Sequence, residues 1–114
     1  MMIKTDSGLQ YEDLLNGRGR QAAPGDDVTI HYTGRLQNGE VFDSSLDRDQ
    51  PLTFTLGAGQ VIAGWDEGIA GMKRGSVRRL IVPAELGYGA EGAGTLIPPK
   101  ATLIFEIELL AIES

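Results

Sequence analysis

The chain contains no cysteine. That excludes disulfide staples, thiolate nucleophiles and cysteine-held metals. It contains one histidine, His31. A zinc cage of several imidazoles is therefore out of reach, and a Ser-His-Asp arrangement has one possible base. No apolar run reaches the length needed to span a bilayer. Nor does an apolar stretch follow Met1–Ser7, so no signal peptide is read there. These absences predict a soluble chain in a reducing compartment, with the cytoplasm as its expected location and no membrane partner.

Aromatic residues are also scarce: three Phe, three Tyr and one Trp. Basic residues are outnumbered, ten to sixteen, which gives a net charge of −6. A phosphate backbone would be repelled, so nucleic acid is not an expected partner. What the chain does have is glycine, 16 residues of it, which implies many turns and close backbone approaches. At 114 residues it suits one domain that can bury a core unaided.

Val28-Thr29-Ile30-His31-Tyr32-Thr33 alternates with the period of two of a half-buried strand. Leu52 to Leu56 and Leu103 to Leu109 do the same, the latter with Glu106 and Glu108 outward. Leu9 to Leu15 and Ser76 to Val82 are weaker candidates, because Arg78-Arg79 interrupts the second and leaves its faces unassigned. Asn38-Gly39 marks a hairpin tip. Val61, Trp65, Ile69 and Met72 recur at helical spacing, predicting a short helix from about Ile62 to Ala70 with Gly71 as C-cap. The expected fold is α+β, five or six antiparallel strands around one short helix. A helix of ten residues is about 15 Å long. That is too small to cover such a sheet, so part of the inner face must be closed by loops or left as an apolar hollow.

Most familiar chemistry finds no residues here. His31 reads as a solvated strand histidine. Asp43, Asp47 and Asp49 lack the glycine of a calcium loop and carry Pro51 instead. Gly87 to Gly92 matches G-x-G-x-x-G, but Pro98-Pro99 follows where a helix would have to run. Lys73-Arg74 with Arg78-Arg79 reads as a solvated strand edge. No metal and no cofactor is expected. Rotation about a prolyl peptide bond is a reaction that needs none of these, since nothing is made or broken.

The motifs VTIHYTG (28–34), NGEVFDSS (38–45), FTLG (54–57), VIAGWDEG (61–68), GYG (87–89) and IPPKATLIF (97–105) occur in order. In combination, from about Gly8 to Ile112, the chain resembles the FKBP-type peptidyl-prolyl isomerases, the macrolide-binding immunophilins, in their small single-domain bacterial form. The resemblance implies a flexible segment 1–7 and one isomerase domain over 8–114, with an antiparallel sheet wrapped around a short helix. It implies catalytic roles for Phe42, Asp43 and Tyr88. It places Trp65 as pocket floor and Tyr32, Phe42 and Phe105 as aromatic walls. Val61 and Ile62 would line one side, the Ile62 N–H meeting a ligand carbonyl. Leu96 and Ile97 would close the rim.

Leu52, Ala93 and Gln60 depart from residues frequent in the family, which bears on substrate preference and macrolide affinity. Tyr32, Phe54, Phe105 and Trp65 would read as plain core without the resemblance, and Phe54 is kept as core even with it. Asp43 before Ser44-Ser45 also suits an Asx-turn. The expected partners are proline-containing peptides or unfolded proteins and macrolide inhibitors, with the protein a monomer that assists folding. A non-catalytic chaperone or adaptor of the same fold, or a small-molecule carrier, stays open at this point.

Overall fold

The structure is a computed structural model, described here for residues 2–113. The elements run β1 (Ile3–Lys4), β2 (Gln10–Leu15), β3 (Arg18–Gln21), β4 (Asp27–Leu36), β5 (Val41–Ser44), α1 (Ser45–Arg48), β6 (Leu52–Thr55), α2 (Ala63–Gly68), β7 (Lys73–Arg74), β8 (Val77–Val82), a 3₁₀ turn (Ala84–Leu86) and β9 (Leu103–Glu113).

One antiparallel sheet has the order β1-β2-β8-β9-β4-β5, and β6 also pairs with β4. β4 is long enough to serve two partners along one edge. Asp27 to Ile30 pair with Thr55 to Leu52, and Thr33 to Arg35 pair with Ser44 to Val41. Its other edge pairs with β9 from Asp27↔Glu113 to Leu36↔Leu103. β3 and β7 form a separate two-stranded ribbon.

The alternation read from the sequence sets the faces. Val28, Ile30 and Tyr32 of β4 and Leu103, Phe105, Ile107 and Leu109 of β9 are buried inward. Each such side chain contributes about 1.5–3 kcal/mol when fully removed from water. The expected Asn38-Gly39 tip is present, with Gly39 at φ 90° and the Leu36 N–H bonded to the Glu40 carbonyl at 2.9 Å.

α2 lies across the inner face and is pinned to β8. A Cβ on Gly64 would stand 2.6 Å from Val82 Cγ1, and one on Gly68 2.8 Å from Leu80 Cδ1. Side chains two apart on a strand repeat at about 6.6 Å and residues four apart on a helix at about 6 Å. Leu80 and Val82 therefore fit the two glycine gaps. This accounts for residues that lower the intrinsic helix propensity of α2 by about 1 kcal/mol each.

Several details differ from expectation. The main sheet has seven strands rather than five or six. α2 spans six residues, and a one-turn α1 and a 3₁₀ turn accompany it. Elements of two to four residues are too short to display a period. Of the segment 1–7, read as flexible, the described part carries a strand. Ile3 and Lys4 pair with Tyr11 and Gln10, and the Thr5 N–H bonds the Leu9 carbonyl at 2.8 Å. The Thr5 and Ser7 hydroxyls also donate to Glu67 of α2, at 2.7 and 2.6 Å.

Arg78-Arg79 is not a solvated edge. Arg78 lies on the inner row of β8 with Leu80 and Val82 and is 8% exposed. Arg79 faces outward between Glu12 and Glu106, at 3.4 and 3.1 Å.

Candidate functional site

At the N-terminal end of α2 the sheet is left uncovered. A cleft of about 190 Å³ opens there, lined by Tyr32, Phe42, Asp43, Leu52, Gln60, Val61, Ile62, Trp65, Tyr88 and Phe105. α2 presents Trp65 to it, β4 Tyr32, β5 Phe42 and Asp43, and β9 Phe105.

The rings interlock edge to face. Trp65 meets Tyr32 at a centroid distance of 4.8 Å and 64°, and Phe105 at 5.1 Å and 82°. Phe42 meets Phe105 at 5.7 Å and 81°. Such pairs contribute about 0.5–1.5 kcal/mol beyond burial and hold each ring in one orientation. Phe54 packs beside Trp65 at 6.2 Å, is buried and does not line the cleft, as expected for a core residue. The buried Trp65 indole N–H has no acceptor among the described residues.

Gly34 makes the aromatic wall possible. A Cβ there would lie 2.6 Å from Phe42 Cζ and 2.8 Å from Phe105 Cε1. An isolated glycine inside a strand signals such a close approach. The signal was present in the inward series Val28, Ile30, Tyr32, Gly34, although sequence reasoning did not use it.

One side of the cleft is polar. Asp43 lies in an extended strand. Its Oδ2 accepts a hydrogen bond from the Tyr32 hydroxyl at 2.7 Å, and its Oδ1 accepts one from Arg48 Nη1. Arg48 Nη2 donates to the Tyr32 oxygen at 2.8 Å. Burial alone would raise the Asp43 carboxyl, but the bonds from Tyr32 and Arg48 and the Arg48 charge hold it below the usual carboxylate value. Burial, then the bond to Asp43, pushes the Tyr32 phenol up. Arg48 is a site residue that sequence reasoning missed. It sits five positions after Asp43, a spacing with no regular periodicity, and α1 turns it back.

Tyr88 stands across the opening. Burial, then the negative charge of Asp43, raises its phenol above the ordinary value. Its hydroxyl has no hydrogen-bond partner among the described residues, and neither has the Ile62 N–H. Asp43 and Tyr88 therefore share the cleft without bonding each other. Leu96 and Ile97 line an adjoining groove of about 510 Å³ that shares Phe42, Asp43 and Tyr88 with the cleft. The Ala93 and Ile97 backbones bond reciprocally at 3.0 and 3.1 Å, burying Ile97 and leaving Leu96 exposed at the rim. Gln60 is tied back, its Oε1 accepting the Thr55 N–H at 2.9 Å.

The remaining candidates fall elsewhere. His31 Nδ1 meets Ser45 Oγ at 2.9 Å, and the ring faces a groove with Glu106 and Glu108, away from the cleft. Among the described residues, no group of three metal-ligating side chains occurs. No helix among them is long and apolar enough to cross a membrane.

Residues 18–110 match the family model of the FKBP-type peptidyl-prolyl cis-trans isomerases. The chain belongs to that family and is an isomerase of prolyl peptide bonds. It is similar to the FK506-binding protein of Neisseria meningitidis serogroup B, with 64% identity over 105 residues, 92% of this chain and 96% of that one. It is 57% identical over 89 residues to the mouse peptidyl-prolyl cis-trans isomerase FKBP2, covering 78% of this chain and 64% of that protein. The crystal structure of AtFKBP13 superposes with a TM-score of 0.92 at 42% identity, covering 100% of this chain and 99% of that one. The expected FKBP-like α+β fold is therefore the observed one.

Proposed function

We propose that the aromatic cleft binds X-Pro segments of peptides and unfolded proteins and lowers the barrier to rotation by replacing their water. The spontaneous barrier is about 18–20 kcal/mol, and the uncatalysed prolyl step takes tens to hundreds of seconds. A planar amide is more polar than a twisted one, so leaving water for an apolar hollow favours the twisted form by comparison. That is differential stabilisation of the transition state. A gain of ~10⁵-fold would require about 7 kcal/mol.

In this reading Trp65 is the floor beneath the proline ring. Tyr32, Phe42 and Phe105 are its walls, and Val61 and Ile62 the side. The Ile62 N–H and Tyr88 O–H fix carbonyls flanking the bond, and Leu96 and Ile97 take neighbouring residues. Asp43 supplies a fixed negative charge beside the rotating amide and moves no proton. Phe42, Asp43 and Tyr88 carry the catalytic contacts.

The single observation that carries this reading is the pairing of an aromatic-walled cleft with two donors unpartnered among the described residues, Ile62 N–H and Tyr88 O–H. Macrolides of the kind for which the relatives are named would occupy the same hollow. Leu52 and Gln60 in its lining are where affinity would differ. The expected setting is a cytoplasmic monomer acting on folding chains.

A proline-limited refolding assay tests this. Acceleration at substoichiometric protein, abolished by the macrolide FK506, is the expected result. Suppression of aggregation only at stoichiometric protein would indicate the non-catalytic chaperone or adaptor instead.

A further inference from the structure

The C-terminal end of α2 is held by a buried cation. Arg78 Nη1 donates to the Gly68 carbonyl at 3.0 Å and to the Ala70 carbonyl at 3.3 Å. Nε donates to Asp13 Oδ1 at 2.6 Å, and the guanidinium carbon stands 4.5 Å above the Tyr11 ring. The last carbonyls of a helix have no partner within it. α2 has no basic residue in its own last turn and no side-chain cap at its start. At six residues it is too short to persist alone. Arg78 supplies from β8 what α2 lacks.

The position is telling. The neighbours of Arg78 on the inner row, Leu80 and Val82, fit the gaps at Gly68 and Gly64. A leucine at 78 would continue the apolar row. A buried charge is tolerated only when paired and fully bonded, and here its bonds go to Asp13 of β2 and to the end of α2. The Ile69 N–H bonds the Trp65 carbonyl at 2.9 Å, so Trp65 shares a turn with the Gly68 carbonyl that Arg78 grips. That turn transmits any axial shift of α2 to the floor of the cleft.

We propose that Arg78, with its anchor Asp13, is a positioning residue for isomerisation, because it sets where α2 lies along β8 and hence the depth of Trp65 in the cleft. The proposal rests on the isomerase reading of that cleft. Displacements of about 1 Å at a site can cost up to ~10²-fold in rate.

The test compares wild type, Arg78→Met, Arg78→Lys and Asp13→Asn at a temperature where circular dichroism shows each fully folded. The readouts are kcat/KM on a proline tetrapeptide and the emission of Trp65, the only tryptophan. Arg78→Met is expected to lower kcat/KM by about tenfold and to shift Trp65 emission. Arg78→Lys should recover part of both, and Asp13→Asn should move both in the same direction by less. A folded Arg78→Met with wild-type kcat/KM and emission, merely less heat-stable, would overturn the assignment. If Arg78→Met does not fold, a folded Asp13→Asn with both readouts unchanged overturns it equally. Inactive wild type would instead sink the isomerase reading, leaving the emission shifts to judge the position of α2.

Discussion

The Tyr32 hydroxyl donates to Asp43 Oδ2 at 2.7 Å, and Arg48 closes the triangle by donating to both residues. The carboxylate that faces the cleft is thus held in place and kept ionised. It supplies charge at a fixed point and is a poor proton donor. Arg48→Met would free Asp43 to reorient. Both side chains are partly exposed and the pair is screened by water, so the loss of stability should be small. The expected fall in kcat/KM is up to about fivefold. Thermal unfolding and a peptide assay on the same sample separate the two effects.

Tyr88 and Phe42 carry predictions of different size. The Tyr88 hydroxyl has no partner within the described residues, so Tyr88→Phe should leave stability within about 0.5 kcal/mol. Loss of one substrate hydrogen bond should lower kcat/KM by up to about tenfold. Phe42→Ala removes a half-buried wall and should cost more activity than Tyr88→Phe while the protein stays folded. Unchanged kcat/KM in both variants would remove their assigned roles.

Gly34 predicts a packing effect on the site. A methyl at that position meets the Phe42 and Phe105 rings at 2.6 and 2.8 Å, so one ring must turn away. Gly34→Ala should cost about 1–3 kcal/mol, as overpacking does. It should also weaken FK506 binding by spoiling the edge-to-face wall. Calorimetric unfolding and a binding titration would show this, and a variant as stable and as tight-binding as wild type would contradict it.

Acid should act through two carboxylates. Asp26 is lowered chiefly by its hydrogen bonds from Arg20 at 2.7 Å and the Ala23 N–H at 2.9 Å, and Asp43 is also lowered. A folded pKa below the unfolded one, about 3.9 for aspartate, means a contribution fully present above that value. It is lost as pH falls through the lower folded pKa. These two groups should therefore leave stability flat from pH 5 to 8 and reduce it below about pH 4. Asp26→Asn should lower Tm at pH 7, and the gap between wild type and variant should narrow as pH falls below about 4. A gap that stays constant through acid would contradict this assignment.

Long alternating runs make much of the fold legible in the sequence. The inward faces of β4 and β9 follow directly from Val28-Ile30-Tyr32 and from Leu103 to Leu109, because one buried face forces a period of two. Trp65, Phe42, Asp43 and Tyr88 all line one cleft. What stayed hidden depends on contacts between elements. Arg78-Arg79 breaks the alternation and reads as a solvated edge in the sequence, because the carbonyls at the end of α2 that Arg78 bonds belong to another element. Arg48 reaches Asp43 only because α1 folds back. Ile3–Lys4 is too short to show a pattern, and it is defined by its partner strand β2.

The cleft should accelerate rotation about a prolyl bond without changing its equilibrium. Magnetisation-exchange NMR on a short Leu-Pro peptide, at about one protein per fifty peptides, measures this directly. Cis and trans populations should stay as in free peptide, while exchange rises from the spontaneous scale of tens to hundreds of seconds to well under a second. FK506 should return it to the spontaneous rate. Exchange that stays at the spontaneous rate with an open, folded cleft would contradict the account.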